Sequence, residues 1–167
     1  MKMKKLIILS FLSFLTICSF GQSKFGYIDS RELLSLMTEK GTAEGELQTF
    51  AKSLESQLGA MQAEYQASVQ DYQANEATYT DLVKQDKVAE ITNLEQRIQA
   101  FNQNAQNALQ KKEQELLEPI LAKARTAIED VAKEGKFTYI FDSSMGSILY
   151  ADENENVIPL GKKKLGL

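Results

Sequence analysis

LQTFAKSLESQLGAMQAEYQASVQDY, residues 47 to 72, sets the architecture. Its apolar positions Leu47, Phe50, Leu54, Leu58, Met61, Tyr65, Val69 and Tyr72 step by 3, 4, 4, 3, 4, 4 and 3 residues. Seven steps over 25 residues average near 3.6, so these side chains form one stripe down a helix. The residues between them are mainly Gln, Glu, Ser, Ala and Lys. A stripe this narrow does not build the core of a compact globule; it suits a coiled-coil seam. Gly41, Gly45 and Gly59 each weaken such a helix by about 1 kcal/mol and read either as bends or as tolerated glycines.

Working toward the N-terminus, no proline interrupts the helical period back to about residue 30. KFGYIDS, residues 24 to 30, favours a short strand through Phe25, Tyr27 and Ile28. Asp29 and Glu32 then resemble a capping box ahead of Leu33 and Leu34. The first arm helix is therefore expected over about 30–78.

Toward the C-terminus, NEATYTD at 75–81 breaks the period and marks a hairpin tip. A second helix is expected over about 82–134, with Ile91, Leu94, Ile98, Phe101, Ala105, Leu109, Leu116, Ile120, Ala124, Ile128 and Val131 as its stripe. Pro119 falls inside it, but the period resumes at once, which predicts a kink rather than an end. Gly135 is expected as the residue that stops it, with Lys133 in the last turn. Helices of this length reach about 70 Å, and an antiparallel hairpin lets each stripe cover the other.

FTYIFDSS (137–144), a turn at Met145–Gly146 and SILYADE (147–153) read as strand, turn, strand. Val157, Ile158 and Leu160 read as a last strand or helical turn, and the KKKLGL end as peripheral. The fold class is thus α+β: a coiled-coil arm on a small β body, 24–30 with 136–160. A body this small holds a marginal core, and its strands have open edges. Both problems disappear if sister chains pool their strands, so an obligate homo-oligomer is expected. On these strands Phe137, Tyr139 and Phe141 share one face by period two, and Ile148 and Tyr150 share one on the return.

Residues 1–21 read as a signal peptide. Lys2, Lys4 and Lys5 precede a run of fifteen mostly apolar residues, Leu6 to Phe20, shorter than the roughly 20 a membrane span takes. Ser19 and Gly21 fit a cut before Gln22, which would place the mature chain, 22–167, outside the cytoplasm. The competing reading is a lipid on Cys18, against which the bulky preceding Ile17 counts. Without the three leader lysines the chain keeps 16 basic against 23 acidic residues, a net −7. That balance does not invite nucleic acid or an anionic membrane surface.

Little catalytic chemistry is available. The chain has no histidine, and its one cysteine, Cys18, leaves with the leader. Imidazole-based triads and imidazole or thiolate metal ligands are thereby excluded from the mature chain. GKKKLG at 161–166 lacks the context of a phosphate-binding loop. Glu113, Glu115 and Glu118 read as a solvated face. No enzyme, metal or cofactor is expected. Tyr65, Tyr72 and Tyr79 follow at intervals of seven, with Phe101 on the return helix and Met61 nearby. They read either as seam packing or as surfaces that touch apolar partner segments; Met145 would add another adaptable contact.

The order of parts carries a resemblance. The opening FGYIDS, the helical hairpin, LLEPILAKARTAIEDVAKEGKFTYIFDSS at 116–144 and the terminal LGL are similar to the Skp/OmpH family of periplasmic chaperones. The resemblance covers essentially the whole mature chain. It implies a jellyfish-like trimer with a central β barrel and three arms around a cavity, with Phe25, Tyr27, Tyr139, Phe141, Ile148 and Tyr150 at the matching strand positions of the oligomer body. It also implies an ATP-independent holdase for unfolded outer-membrane β-barrel proteins. Its best-known members have basic arms, whereas residues 60–100 here carry seven acidic and three basic side chains. That departure speaks against lipopolysaccharide as a ligand. Two other roles remain at this point: a coiled-coil scaffold of the cell envelope, and a lipid-anchored envelope subunit.

Overall fold

The computed structural model describes residues 23–167. The leader, its cut before Gln22 and the Cys18 alternative lie outside the described residues. Strand β1, Phe25–Ile28, leads into helix α1, Ser30–Leu36. Asp29 caps α1 by accepting from the backbone N–H groups of Arg31 and Glu32. The chain then runs up α2, Thr38–Asn75, turns through a short 3-10 segment at Glu76–Thr78, and returns down α3, Asp81–Gly135. Strand β2, Tyr139–Asp142, and a short helix α4, Ile158–Leu165, complete it.

The expected arm is present, with the tip where the period failed. Thr80 caps α3 by accepting from the Val83 N–H. At 1.5 Å per residue, α2 spans about 57 Å and α3 about 82 Å. Every residue of both stripes is half-buried or buried, and the polar side chains between them are mostly exposed. Three ion pairs tie α2 to α3 across the seam: Lys123 with Glu39, Lys112 with Glu46 at 3.7 Å, and Lys87 with Asp71 at 3.1 Å. Helix α3 continues through Pro119, as expected.

Four details differ from expectation. The first arm helix is not continuous from residue 30. Met37 is extended (ψ 121°), ends α1 and starts α2, and buries its side chain in the base core. The break redirects the chain from body to arm. The residue that leaves helical geometry after α3 is Lys136 (φ 53°), not Gly135. Gly135 is instead the last helical residue, pressed against the Phe137 ring.

The segment 147–153 forms no strand. β1 has β2 on one side, and its further pairing is a single bridge from Tyr27 to Asn156. The segment before that bridge has no ladder partner within the chain. The C-terminal lysine segment is not peripheral. It is the body of α4, whose Gly161 lies against Leu33 and whose Leu165 packs on the core.

The sheet has two strands, parallel, with Phe25 opposite Tyr139 and Tyr27 opposite Phe141. Alternation turns Gly26, Ile28 and Ile140 toward the helices. The core sits at the base, where Ile28, Leu33, Met37, Ile120, Val131 and Val157 meet. On the distal arm Leu94 alone among the described residues is fully buried.

Candidate functional site

Two regions result from this fold: an outward sheet face on the body, and the long arm. On the body, strand alternation places Phe25, Tyr27, Tyr139 and Phe141 on the face turned away from the helices. Phe25 and Tyr139 stack with ring centroids 6.1 Å apart, and Phe141 lies 6.1 Å from Tyr139 and 6.2 Å from Phe25. All three rings are exposed. Beside them the 147–151 segment folds past the sheet, leaving a groove of about 660 Å³ lined in part by Phe25, Tyr27, Phe141, Ile148 and Tyr150. The six body residues singled out from the sequence thus converge, although Ile148 and Tyr150 arrive on a loop rather than a strand.

The loop leaves three large side chains open: Leu149, which the sequence does not single out, is 98% exposed, Tyr150 87%, and Met145 is nearly as open. The signal was available: an apolar run outside any ladder has no reason to be there unless something covers it. Around the other side of β2, a larger cavity of about 770 Å³ lies between α1, β2 and α3, with Leu121, Arg125 and Ile128 in its wall. Asp142 closes its edge. Its carboxylate accepts from the Ser30 hydroxyl at 2.6 Å, the Ser30 N–H at 3.2 Å and the Ser144 N–H at 2.9 Å. Partial burial works to raise the Asp142 pKa, but these hydrogen bonds outweigh it and hold the carboxyl below its ordinary value.

On the arm, Met61, Tyr65, Tyr72, Tyr79 and Phe101 are all half-buried and strung along the seam rather than gathered in one place. Tyr79 has a defined partner: its hydroxyl donates to Asp71 at 3.1 Å. The same carboxylate takes Lys87 from α3 and the Asn75 side-chain amide at 3.0 Å. The bond from the Lys87 ammonium, then that from Tyr79, keeps Asp71 below the usual carboxylate range. Desolvation, then the Asp71 bond, pushes the Tyr79 hydroxyl up. Tyr72 donates to Glu76 at 3.4 Å.

Among the described residues no group of three or more His, Cys, Asp or Glu is placed to hold a metal ion, and no helix is long and apolar enough to cross a membrane. The shape fits extended surface contact.

The comparisons with known proteins agree with that shape. The chain shares its fold with the candidate outer membrane chaperone (OmpH-like) of Caulobacter crescentus CB15. The superposition has a TM-score of 0.77 at 14% identity, covering 87% of this chain and 85% of that one. No curated protein matches the chain. The family model for outer membrane protein (OmpH-like) matches residues 24–165. That span takes in both strands, the whole hairpin and α4, and so this chain belongs to the OmpH-like family.

Proposed function

We propose that the protein is a non-enzymatic, ATP-independent holdase chaperone of the periplasm, exported by a leader cut before Gln22. Its clients are unfolded outer-membrane β-barrel proteins, which it keeps from aggregating on their way to the membrane. Family membership and the structural likeness to an OmpH-like outer membrane chaperone support this reading.

The observation that carries it is the exposed aromatic face beside a single long arm. A two-stranded sheet is marginal alone, and stacked apolar rings open to water call for a cover. Sister chains supply that cover most economically, and a trimer is the arrangement we assign. Arms attached to a common body then project together and enclose space. Unfolded barrel proteins expose apolar strands that aggregate on meeting one another. A client held among the arms is isolated from its fellows. Many weak contacts, for which Met61, Tyr65, Tyr72, Tyr79 and Phe101 are the seam candidates, release it without ATP as folding into the membrane outcompetes them.

The test is light scattering from an unfolded outer-membrane barrel protein diluted out of urea. Equimolar mature trimer is expected to delay aggregation at least several-fold. No delay ends the holdase reading. Capture of one folded protein with no effect on unfolded clients would instead identify a scaffold.

A further inference from the structure

The large apolar side chains that remain exposed are not spread evenly. Among the described residues they lie in the body and its adjoining turns, from Phe25 and Leu36 through Leu121 to Leu167, or at the far end of the arm. The shaft between, 38–81 on the way out and 89–120 on the way back, exposes none. At the far end three occur within seven residues: Leu82 is 68% exposed, Val88 48%, and Val83 also lies open. Successive helix residues rotate by about 100°, so these three project on different sides of the first turns of α3. The end of the arm is therefore apolar on several sides, not along one seam. Seam packing does not explain Leu82, which sits opposite the stripe of Ile91, Leu94 and Ile98.

The charges around it select a partner. Residues 71–90 carry five acidic side chains, Asp71, Glu76, Asp81, Asp86 and Glu90, against Lys84 and Lys87. Lys87 is already paired with Asp71 and Glu90. Two such tips repel each other, which disfavours closure of one copy's tip on another's. An anionic lipid surface is disfavoured for the same reason.

We infer that the arm tip, through Leu82, Val83 and Val88 within an acidic surround, is a contact site for apolar segments of non-native polypeptide flanked by lysine or arginine. This deepens the holdase reading and rests on it for the identity of the client. It gives the tip the first, steered contact and leaves the shaft as enclosure.

The probe is a labelled, unstructured 20-residue peptide with a Leu/Val-rich centre and two lysines at each end, titrated into the full-length mature protein by fluorescence anisotropy. A second peptide replaces the lysines with glutamates. The lysine peptide is expected to bind at least five-fold more tightly than the glutamate peptide. The Leu82→Ser/Val88→Ser variant is expected to weaken lysine-peptide binding at least five-fold. Asp86→Asn, which leaves every apolar group in place, should weaken it about two-fold. The substituted side chains are exposed, so far-UV circular dichroism should stay unchanged. Equal binding of the two peptides, or unaltered binding by the double variant, overturns the inference. A protein that binds the peptide through Leu82 yet fails to delay aggregation retains the tip site and loses the holdase reading. One that delays aggregation equally well with and without Leu82 and Val88 retains the holdase reading and loses the tip site.

Discussion

The hydroxyl of Ser30 donates to Asp142 Oδ2 at 2.6 Å, joining the first turn of α1 to the end of β2 across 112 residues of sequence. The β1–α1 junction and the end of β2 are thereby fastened at one point, since the Ser143 N–H also donates to the Ile28 carbonyl at 2.9 Å. Asp142 keeps a pKa below its ordinary 3.8 in the folded state. A depressed carboxylate pKa contributes stability that is fully present above the unfolded value and lost as pH falls through the folded one. Urea midpoints of the wild type should therefore be insensitive to this group above about pH 4 and fall below it. Ser30→Ala should lower stability at neutral pH by about 1 kcal/mol and should flatten the acid dependence. An unchanged acid slope in Ser30→Ala would show that this pair does not set it.

Two helical glycines, Gly135 at the end of α3 and Gly161 within α4, should respond in opposite ways. A Cβ on Gly135 would sit 2.6 Å from Phe137 Cδ2, so the ring must move. That ring lies under the Lys24 ammonium at 4.0 Å, and the same ammonium donates to the Gly135 carbonyl at 2.9 Å. Gly135→Ala should cost about 1–3 kcal/mol by overpacking. A Cβ on Gly161 would meet Leu33 Cδ1 at 3.4 Å and Ile28 Cδ1 at 3.7 Å, which is ordinary contact at the edge of the core. Gly161→Ala should be neutral or stabilising by up to about 1 kcal/mol, since alanine favours the helix. Thermal or urea unfolding of the two variants decides.

The same contrast bears on what the sequence makes legible. The two stripes were readable because one period runs unbroken over many turns, and every stripe residue from Leu47 to Tyr72 is indeed half-buried. The tip was readable because the period stops. The break at Met37 was not, because neither proline nor glycine marks it and its cause is tertiary: α1 belongs to the body and α2 to the arm. Helix α4 had local signals, Pro159 near its start and the left-handed Gly166 past its end. Those were outweighed by the β-like run just before it. That run, SILYADE, has a strand's alternation but no partner in its own chain, and alternation alone cannot supply one. Period two fixes which strand side chains share a face, so Phe25 and Tyr27 on β1 and Tyr139 and Phe141 on β2 lie on one side of the sheet. The apolar tip is not legible from the period, because Leu82 and Val88 lie off the stripe.

The hairpin end should behave as a charge latch. Asp71 on α2 holds Tyr79 in the turn and Lys87 on α3. Asp71 lies below its ordinary 3.8, and Lys87 lies above its ordinary 10.5 because of its Asp71 bond and the nearby carboxylates. The carboxylate's contribution is complete above 3.8 and fades as pH drops through its lowered value. The ammonium's contribution is complete below 10.5 and fades as pH climbs through its raised value. Between those limits the latch is at full strength. Asp71→Ala should therefore speed amide hydrogen exchange over residues 76–90 several-fold at neutral pH and leave the base unchanged. Because the groups are exposed, 0.5 M salt should reproduce part of the effect in the wild type. Exchange that rises equally at base and tip would assign Asp71 to global stability instead.

The stacked rings of the sheet face give the assembly proposal its sharpest test. Phe25, Tyr139 and Phe141 gather within about 6 Å of one another yet stay open to water in the single chain. Burying an aromatic side chain fully stabilises by about 1.5–3 kcal/mol, so covering three rings per chain is large beside the few kcal/mol by which a small body is stable. Serine at both Tyr139 and Phe141 removes most of that gain and leaves the inward side chains, Ile28 and Ile140, untouched. Native mass spectrometry should find wild-type protein as a trimer and the double variant as a monomer at micromolar concentration. The monomer should keep most of its helical signal, because the seam and its ion pairs lie within one chain, but melt at a lower temperature. Tyr65→Ser, placed on the arm, should leave the mass unchanged. If the double variant remains a trimer with its melting temperature intact, the sheet face is not where the subunits meet. The cavity beside Leu121 and Arg125 would then be the next surface to substitute.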